Sequence, residues 1–319
     1  MALPWDPEVE VALAPLLEAR AERGLPAVGD IATRRDNSRL LFEVVSQRAG
    51  IPVQPVTVTQ HTAPADDGHH VPLRLYRPDR ARQGPLVVDI HGGGMISGTL
   101  DQNDALLRNL SARSELPVLT PDYRLAPEHP DPTPVEDCYA AMRWAAANAA
   151  ELGIDPSRIG VMGGSAGGGL AAGVALLARD RGGPAIARQL LVYPMLDDRT
   201  LTSDPHMADA LLWSDDDNRT GWTALLGASA GSDADEVSIY AAPARATDLS
   251  SLPPAYIDVG GLDLFRDEDV DYATRLQRCG VPVELHVVAG VPHAFDILAP
   301  ETSAGRQVTD SRLRFLSGL

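Results

Sequence analysis

Short apolar runs alternate with amphipathic stretches along most of the chain. The runs "PLVVDIHG" (85–92), "LPVLTPDYR" (116–124), "RIGVMGG" (158–164), "QLLVYPML" (189–196), "AYIDVGG" (255–261) and "VELHVVAG" (283–290) are largely apolar and lack the alternation of a half-wetted strand. They predict strands buried on both faces. Between them, "DALLRNLSARSE", "VEDCYAAMRWAAANAAEL", "AGGGLAAGVALLARD" and "DEDVDYATRLQRCG" carry apolar residues at helical spacing. Strands alternating with helices predict a mainly parallel sheet covered on both sides. Upstream, "PVTVTQHT" and "VPLRLYRP" flank the turn-like "APADDGHH" and predict an antiparallel hairpin entering that sheet, about eight strands in all.

Two segments break the rhythm. Residues 1–45 are helical without strands, through "PEVEVALAPLLEARAE" and "RRDNSRLLFEVVSQRAG". Residues from about 199 to 235 interrupt the alternation after a strand and contain "ALLW" and two tryptophans, Trp213 and Trp222. Both segments are expected to form a helical cap over the strand ends of a catalytic domain spanning 46–319.

Composition narrows the chemistry. With 319 residues, 44% hydrophobic and 22% charged, the chain has ordinary globular usage. Its formal net charge of −17 argues against nucleic acid or an anionic membrane as partner. No run of about 18 apolar residues predicts a membrane span. The N-terminus lacks a basic start followed by an apolar block, so the expected location is the cytoplasm. Cys138 and Cys279 lie in helical segments and suggest neither a disulfide framework nor a zinc site. The chain contains no lysine, which excludes Schiff-base chemistry, Walker-type loops and Ser–Lys catalysis.

The stretch "VMGGSAGGGL" places five glycines around Ser165 where a strand hands over to a helix. Glycine is unfavourable in a helix by about 1 kcal/mol against alanine, so the cluster needs a reason. Strand, Gly-x-Ser-x-Gly, helix is the context of a nucleophile elbow, with the helix start directed at the reacting centre. "HGGG" (91–94) directly follows an earlier strand, where a glycine loop can present N–H groups to a developing oxyanion, each worth about 3 kcal/mol in the transition state. Gly93 and Gly94 are the expected donors with the N–H of Ala166, and Gly92 is a further candidate.

A general base should follow the last strand, and His293 in "GVPHAF" does. The other histidines read as turn (His69, His70), strand (His61, His286), cap (His206) or structural (His129) residues. For the orienting acid, "AYIDVGGLDLFRDEDV" offers Asp258 within the strand, Asp263 in the loop, and Asp267, Glu268 and Asp269 opening a helix. Asp263 fits best, and Asp197 and Asp198 are weaker rivals. The order Ser165, Asp263, His293 is that of the α/β-hydrolases.

The motifs "HGGG", "DYRLAPEHP" (122–130), "GGSAGG" (163–168), "DLFRDE" (263–268) and "HAF" (293–295) occur in one order between residue 71 and the C-terminus. On them the sequence resembles the hormone-sensitive-lipase-like family of α/β-hydrolase esterases, particularly its bacterial carboxylesterases. The resemblance implies an α/β-hydrolase fold, a Ser165–Asp263–His293 triad and an oxyanion hole of the HGGG glycines and Ala166. It further implies an N-terminal cap lining an acyl pocket, short acyl esters as small-molecule substrates, and a homodimer. Three positions depart from the family pattern: Gly164, usually acidic or threonine; Met95, usually aromatic; and Leu264, usually proline. The expected activity is serine carboxylesterase hydrolysis of short- to medium-chain acyl esters through an acyl-enzyme, without cofactor or metal. An amidase, lactonase, deacetylase or acyltransferase would use the same residues. A ligand-binding protein on this fold would ordinarily lack a triad member.

Overall fold

The six apolar runs and the hairpin form eight strands. These are β1 (Val56–Pro64), β2 (His70–Pro78), β3 (Gly84–Ile90), β4 (Val118–Pro121), β5 (Ile154–Gly164), β6 (Arg188–Val192), β7 (Ala255–Gly260) and β8 (Val283–Val288). The structure, a computed structural model, describes residues 2–48, 50, 52–232 and 237–319, with Asp209 described by its backbone alone. The strands make one sheet in the order β1-β2-β4-β3-β5-β6-β7-β8. β1 and β2 pair antiparallel, β2 joins β4 antiparallel, and every later pairing is parallel. The chain leaves β3 for β4 on one side and returns to β5 on the other. The carboxyl ends of β3 and β5 therefore flank a topological switch point, where α/β sheets form their clefts.

Helices cover both faces. One face packs α4 (Thr133–Ala147), α6 (Ala166–Asp180) and α8 (Arg266–Arg278) against Val88, Ile90, Val161 and Ile257. The other packs α3 (Leu100–Ser114) and α10 (Ser303–Leu316) against Val87, Met162, Leu190 and Tyr256. Two short helices, α5 (Ala149–Leu152) and α9 (Phe295–Leu298), follow α4 and β8. The expected helix over 135–152 is broken at Asn148, which ends α4 and precedes α5. Cys279, expected inside a helix, sits just past the end of α8, and Cys138 is buried in α4. The α10 helix lies beyond the helical stretches predicted from the sequence. It starts where the Thr302 hydroxyl accepts the Gly305 N–H at 3.1 Å.

The N-terminal segment forms α1 (Pro7–Arg23) and α2 (Ile31–Arg48). Asp6 caps α1 by accepting the N–H groups of Glu8 and Val9, and Pro7 takes the first helical position. Val9, Leu13 and Val45 pack on Phe295, Leu298 and Val308, so these helices lie over α9 and the start of α10. Between β6 and β7 the chain forms α7 (Asp215–Leu226), opened by a reciprocal capping box of Ser214 and Asp217. Trp222 on α7 is fully buried, as a packed segment requires. Residues 233–235 of the expected insertion, like Met1 of the N-terminal segment, lie outside the described residues. Buried Arg34 of α2 binds Asp217 of α7 at 2.8 Å and the carbonyls of Pro26, Ala27 and Asp30, tying the two segments together. No helix among the described residues is long and apolar enough to cross a membrane.

Candidate active site

Ser165 sits between the last residue of β5 and the first of α6, with φ 57° and ψ −125°. Such a conformation is strained for a residue with a side chain and is held by its surroundings. The Ser165 N–H donates to the Val192 carbonyl at 2.9 Å, and its carbonyl accepts from Gly169 and Met195 at 3.1 and 3.0 Å. The flanking glycines have a steric cause. A Cβ on Gly163 would lie 2.3 Å from the Gly167 carbonyl oxygen, and one on Gly167 would lie 2.0 Å from that of Ile90. Ala166, the first residue of α6, has an N–H without an intrahelical acceptor, at the positive end of the helix.

The HGGG loop leaves β3 beside this turn. A Cβ on Gly92 would lie 3.3 Å from the Ser165 Cβ, so the loop backbone passes directly against the serine. The Gly93 carbonyl is engaged in its own turn, accepting from Ile96 N, Ser97 N and Ser97 Oγ at 3.0–3.1 Å. Gly93 and Gly94 have φ of 122° and 62°. His91, stacked on Tyr123 with centroids 4.3 Å apart, is buried, and burial lowers its pKa towards the neutral form. The segment between β6 and β7 packs on this loop. The Trp213 ring occupies the space beside Gly94, 2.4 Å from where a Cβ would project, and Gly221 of α7 abuts the Gly94 carbonyl. Met95 is fully buried in the core, with its terminal methyl 3.8 Å from where a Cβ on Gly169 would project.

The three residues expected to act together do meet. His293 Nε2 lies 3.0 Å from Ser165 Oγ, and His293 Nδ1 lies 2.7 Å from Asp263 Oδ2. An ionised carboxylate only accepts, so the Nδ1 proton faces Asp263 and Nε2 is left to accept from the serine. Asp263 is fully buried, and its other oxygen accepts the Phe265 N–H at 3.1 Å. Ser165 and His293 are 8% and 7% exposed, so the relay lies beneath the surface. An imidazole held between a hydroxyl and a buried carboxylate can take the hydroxyl proton and carry the resulting charge.

Four of the rival acids are paired with arginines. Asp258 pairs with Arg312, Asp267 with Arg266, Asp197 with Arg199, and Asp198 with Arg245. Glu268 accepts the N–H groups of Leu196 and Asp197, and burial pushes its carboxyl up to about 8. Asp269 is fully buried, and burial raises its pKa well above the usual range. Among histidines, His286 pairs with Glu284 and His61 with Thr59. No group of three His, Cys, Asp or Glu among the described residues gathers within reach of one metal ion.

Sequence reasoning missed the residues around His293. Tyr193 and Phe265 flank its ring edge-on, with centroids at 4.6 and 5.3 Å. Tyr193 stands in "LVYPML", where it reads as one more apolar strand residue. The available signal was Asp296, an acid three positions after the histidine in an otherwise apolar stretch.

Comparison with known proteins agrees with this geometry. A family model described as the alpha/beta hydrolase fold matches residues 87–297. The esterase LipI of Mycobacterium tuberculosis is 39% identical over 286 residues, covering 85% of this chain and 87% of its own. The arylesterase of Saccharolobus solfataricus is 35% identical over 288 residues, covering 86% and 90%. Among solved structures, a bacterial heroin esterase superposes with a TM-score of 0.87 at 38% identity, covering 98% of this chain and 97% of its own. A hyperthermophilic esterase from the archaeon Pyrobaculum calidifontis superposes with a TM-score of 0.86 at 32% identity, covering 99% of each. With its sheet order, its serine turn and these relatives, the chain belongs to the hormone-sensitive-lipase-like family of α/β-hydrolases.

Proposed function

We propose that the protein is a serine carboxylesterase that hydrolyses short- to medium-chain acyl esters through an acyl-enzyme. The observation that carries this reading is the unbroken relay from Ser165 Oγ through His293 to Asp263, at 3.0 and 2.7 Å. His293 Nε2 takes the hydroxyl proton as Ser165 attacks the acyl carbonyl, and Asp263 stabilises the imidazolium. The N–H groups of Gly93, Gly94 and Ala166, with Gly92 beside them, receive the oxyanion. The alcohol leaves with the proton from His293, and a water repeats the sequence on the acyl-enzyme. The relatives' names (esterase, carboxylesterase, arylesterase) support the ester class.

In this reading residues 1–45 and the insertion at about 199–235 form a cap on the 46–319 catalytic domain. The Trp213 ring against Gly94 supports a short acyl limit, because it fills space beside the oxyanion loop. The test is hydrolysis of p-nitrophenyl esters from acetate to palmitate by wild type and Ser165→Ala. Turnover of the short esters, lost in the variant, is expected. A folded wild type inactive on every ester overturns the reading.

A further inference from the structure

Behind His293 lies a buried polar cluster that the reaction itself does not use. Arg312 of α10 grips Asp258 with two hydrogen bonds, Nε to Oδ2 at 2.7 Å and Nη2 to Oδ1 at 2.9 Å. Its remaining Nη1 donates to Asp296 Oδ2. The other oxygen of Asp296 accepts the Tyr193 hydroxyl at 2.9 Å, and the Tyr193 ring meets the His293 ring edge-on. The guanidinium carbon lies 5.8 Å from the centre of the same tyrosine ring, within cation–π range. Tyr193, Asp258 and Asp296 are 5%, 1% and 6% exposed, so none of these bonds competes with bulk water.

Each member sits at a strategic point of the chain. Asp258 is on β7, five residues before Asp263. Asp296 is on α9, three residues after His293. Tyr193 follows β6 directly, with a positive φ of 34°, and its N–H donates to the Asp258 carbonyl at 2.7 Å. One guanidinium thus joins the strand that leads to the acid with the short helix that follows the base. A planar fork suits this task because its donors point in fixed directions, which an ammonium cannot match. Two carboxylates around a single arginine would be poor stabilisation design for a core, since desolvating charges offsets their attraction. The arrangement makes sense if it fixes geometry.

We propose that Tyr193, held by Asp296 and Arg312, is a positioning residue for His293, and that Arg312 sets the distance between the segments bearing Asp263 and His293. The inference rests on the esterase reading above and extends it to residues outside the triad. The reacting groups tolerate little error, since a displacement of about 1 Å can lower a rate by about a hundredfold.

The experiment compares wild type, Tyr193→Phe, Asp296→Asn and Arg312→Lys. It reads kcat and KM on p-nitrophenyl butyrate, the rate at which a fluorophosphonate labels Ser165, and the thermal midpoint. Tyr193→Phe keeps the ring and loses one hydrogen bond. It should fold as wild type and lower kcat about ten- to a hundredfold with KM nearly unchanged, and labelling should slow in parallel. Asp296→Asn keeps an acceptor for Tyr193 and should lose less. Arg312→Lys cannot span both carboxylates and should lose at least as much as Tyr193→Phe. The proposal is overturned if Tyr193→Phe and Asp296→Asn retain the wild-type kcat and labelling rate, or if every loss follows only the folded fraction. A wild type labelled at Ser165 but inactive on all esters defeats the substrate reading alone, and the labelling series still decides the positioning one.

Discussion

The serine side and the histidine side of the site are built in different ways. Ser165 is placed by backbone, most of it contiguous, with Val192 and Met195 bonding its N–H and carbonyl. β5, the flanking Gly163 and Gly167 and the start of α6 lie within one short stretch, and the close contacts are to carbonyl oxygens of that stretch and of β3. His293 is placed by side chains gathered from β7, the loop between β7 and α8, α9, α10 and the turn after β6. Backbone crowding permits one residue type and leaves a motif. Side-chain clusters can be met by many sequences, and they leave scattered residues that mean little until the chain is folded.

The largest expected effect tests the histidine side at its hub. Asp263→Asn keeps the shape but favours the wrong imidazole tautomer, and kcat should fall about 10⁴-fold with the fold intact. Steady-state kinetics beside a thermal melt separates that loss from unfolding. Next is the serine side. Gly167→Ala would drive a Cβ to 2.0 Å from the Ile90 carbonyl oxygen and 2.6 Å from that of His91. Backbone cannot give way cheaply, so destabilisation of about 3 kcal/mol or more is expected in denaturant melts. A near-neutral result would show that the turn can relax and would erase the contrast between the two sides.

A third expectation concerns pH. Burial pushes the Glu268 carboxyl up to about 8, and Asp89 up to about 7. An unfolded chain loses the Glu268 proton near its ordinary value of 4.5, whereas the folded protein keeps it until about 8. Stability therefore falls as pH rises from about 4.5 to 8 and then levels, by on the order of a few kcal/mol. Glu268→Gln retains an acceptor for Leu196 and should shrink the difference between melts at pH 5 and pH 8.5. An unchanged difference would assign the slope to Asp89 and Asp269. The smallest effect belongs to Gly164→Ala. Its Cβ would meet Tyr193 at 3.5 Å, ordinary van der Waals contact, so stability should change by less than about 1 kcal/mol in the same melts.

Much of the fold is legible in the order of the residues. Buried parallel strands must be apolar on both faces, so their runs stand out from the helices between them, and all eight strands fall where the pattern places them. The exception in burial is β8, which the apolar run predicts as buried on both faces but which lies at the sheet edge and is only half-buried. Boundaries are less legible. β4 is confined to Val118–Pro121 where the apolar run predicts a longer strand, and β5 begins earlier, at Ile154, by pairing with Gly84. The α10 helix is amphipathic, with Ala304, Val308, Phe315 and Leu316 buried, but Arg312 takes a place on its inner face that apolar spacing alone does not anticipate.

The sequence by itself determined the elements, the order of the chemical groups and the glycine turn around Ser165. Each of these depends on local backbone geometry or on a periodicity that neighbouring residues carry. Loop position after β7 already singled out Asp263 among five chemically similar acids, but only the tertiary structure brings its carboxylate to 2.7 Å from His293 and sends Asp258 to Arg312 instead. It also decided that Trp213 meets Gly94 and that Arg312 binds Asp258 and Asp296 behind the base. Contacts between residues far apart in the chain follow from how the layers pack, and no local pattern encodes them.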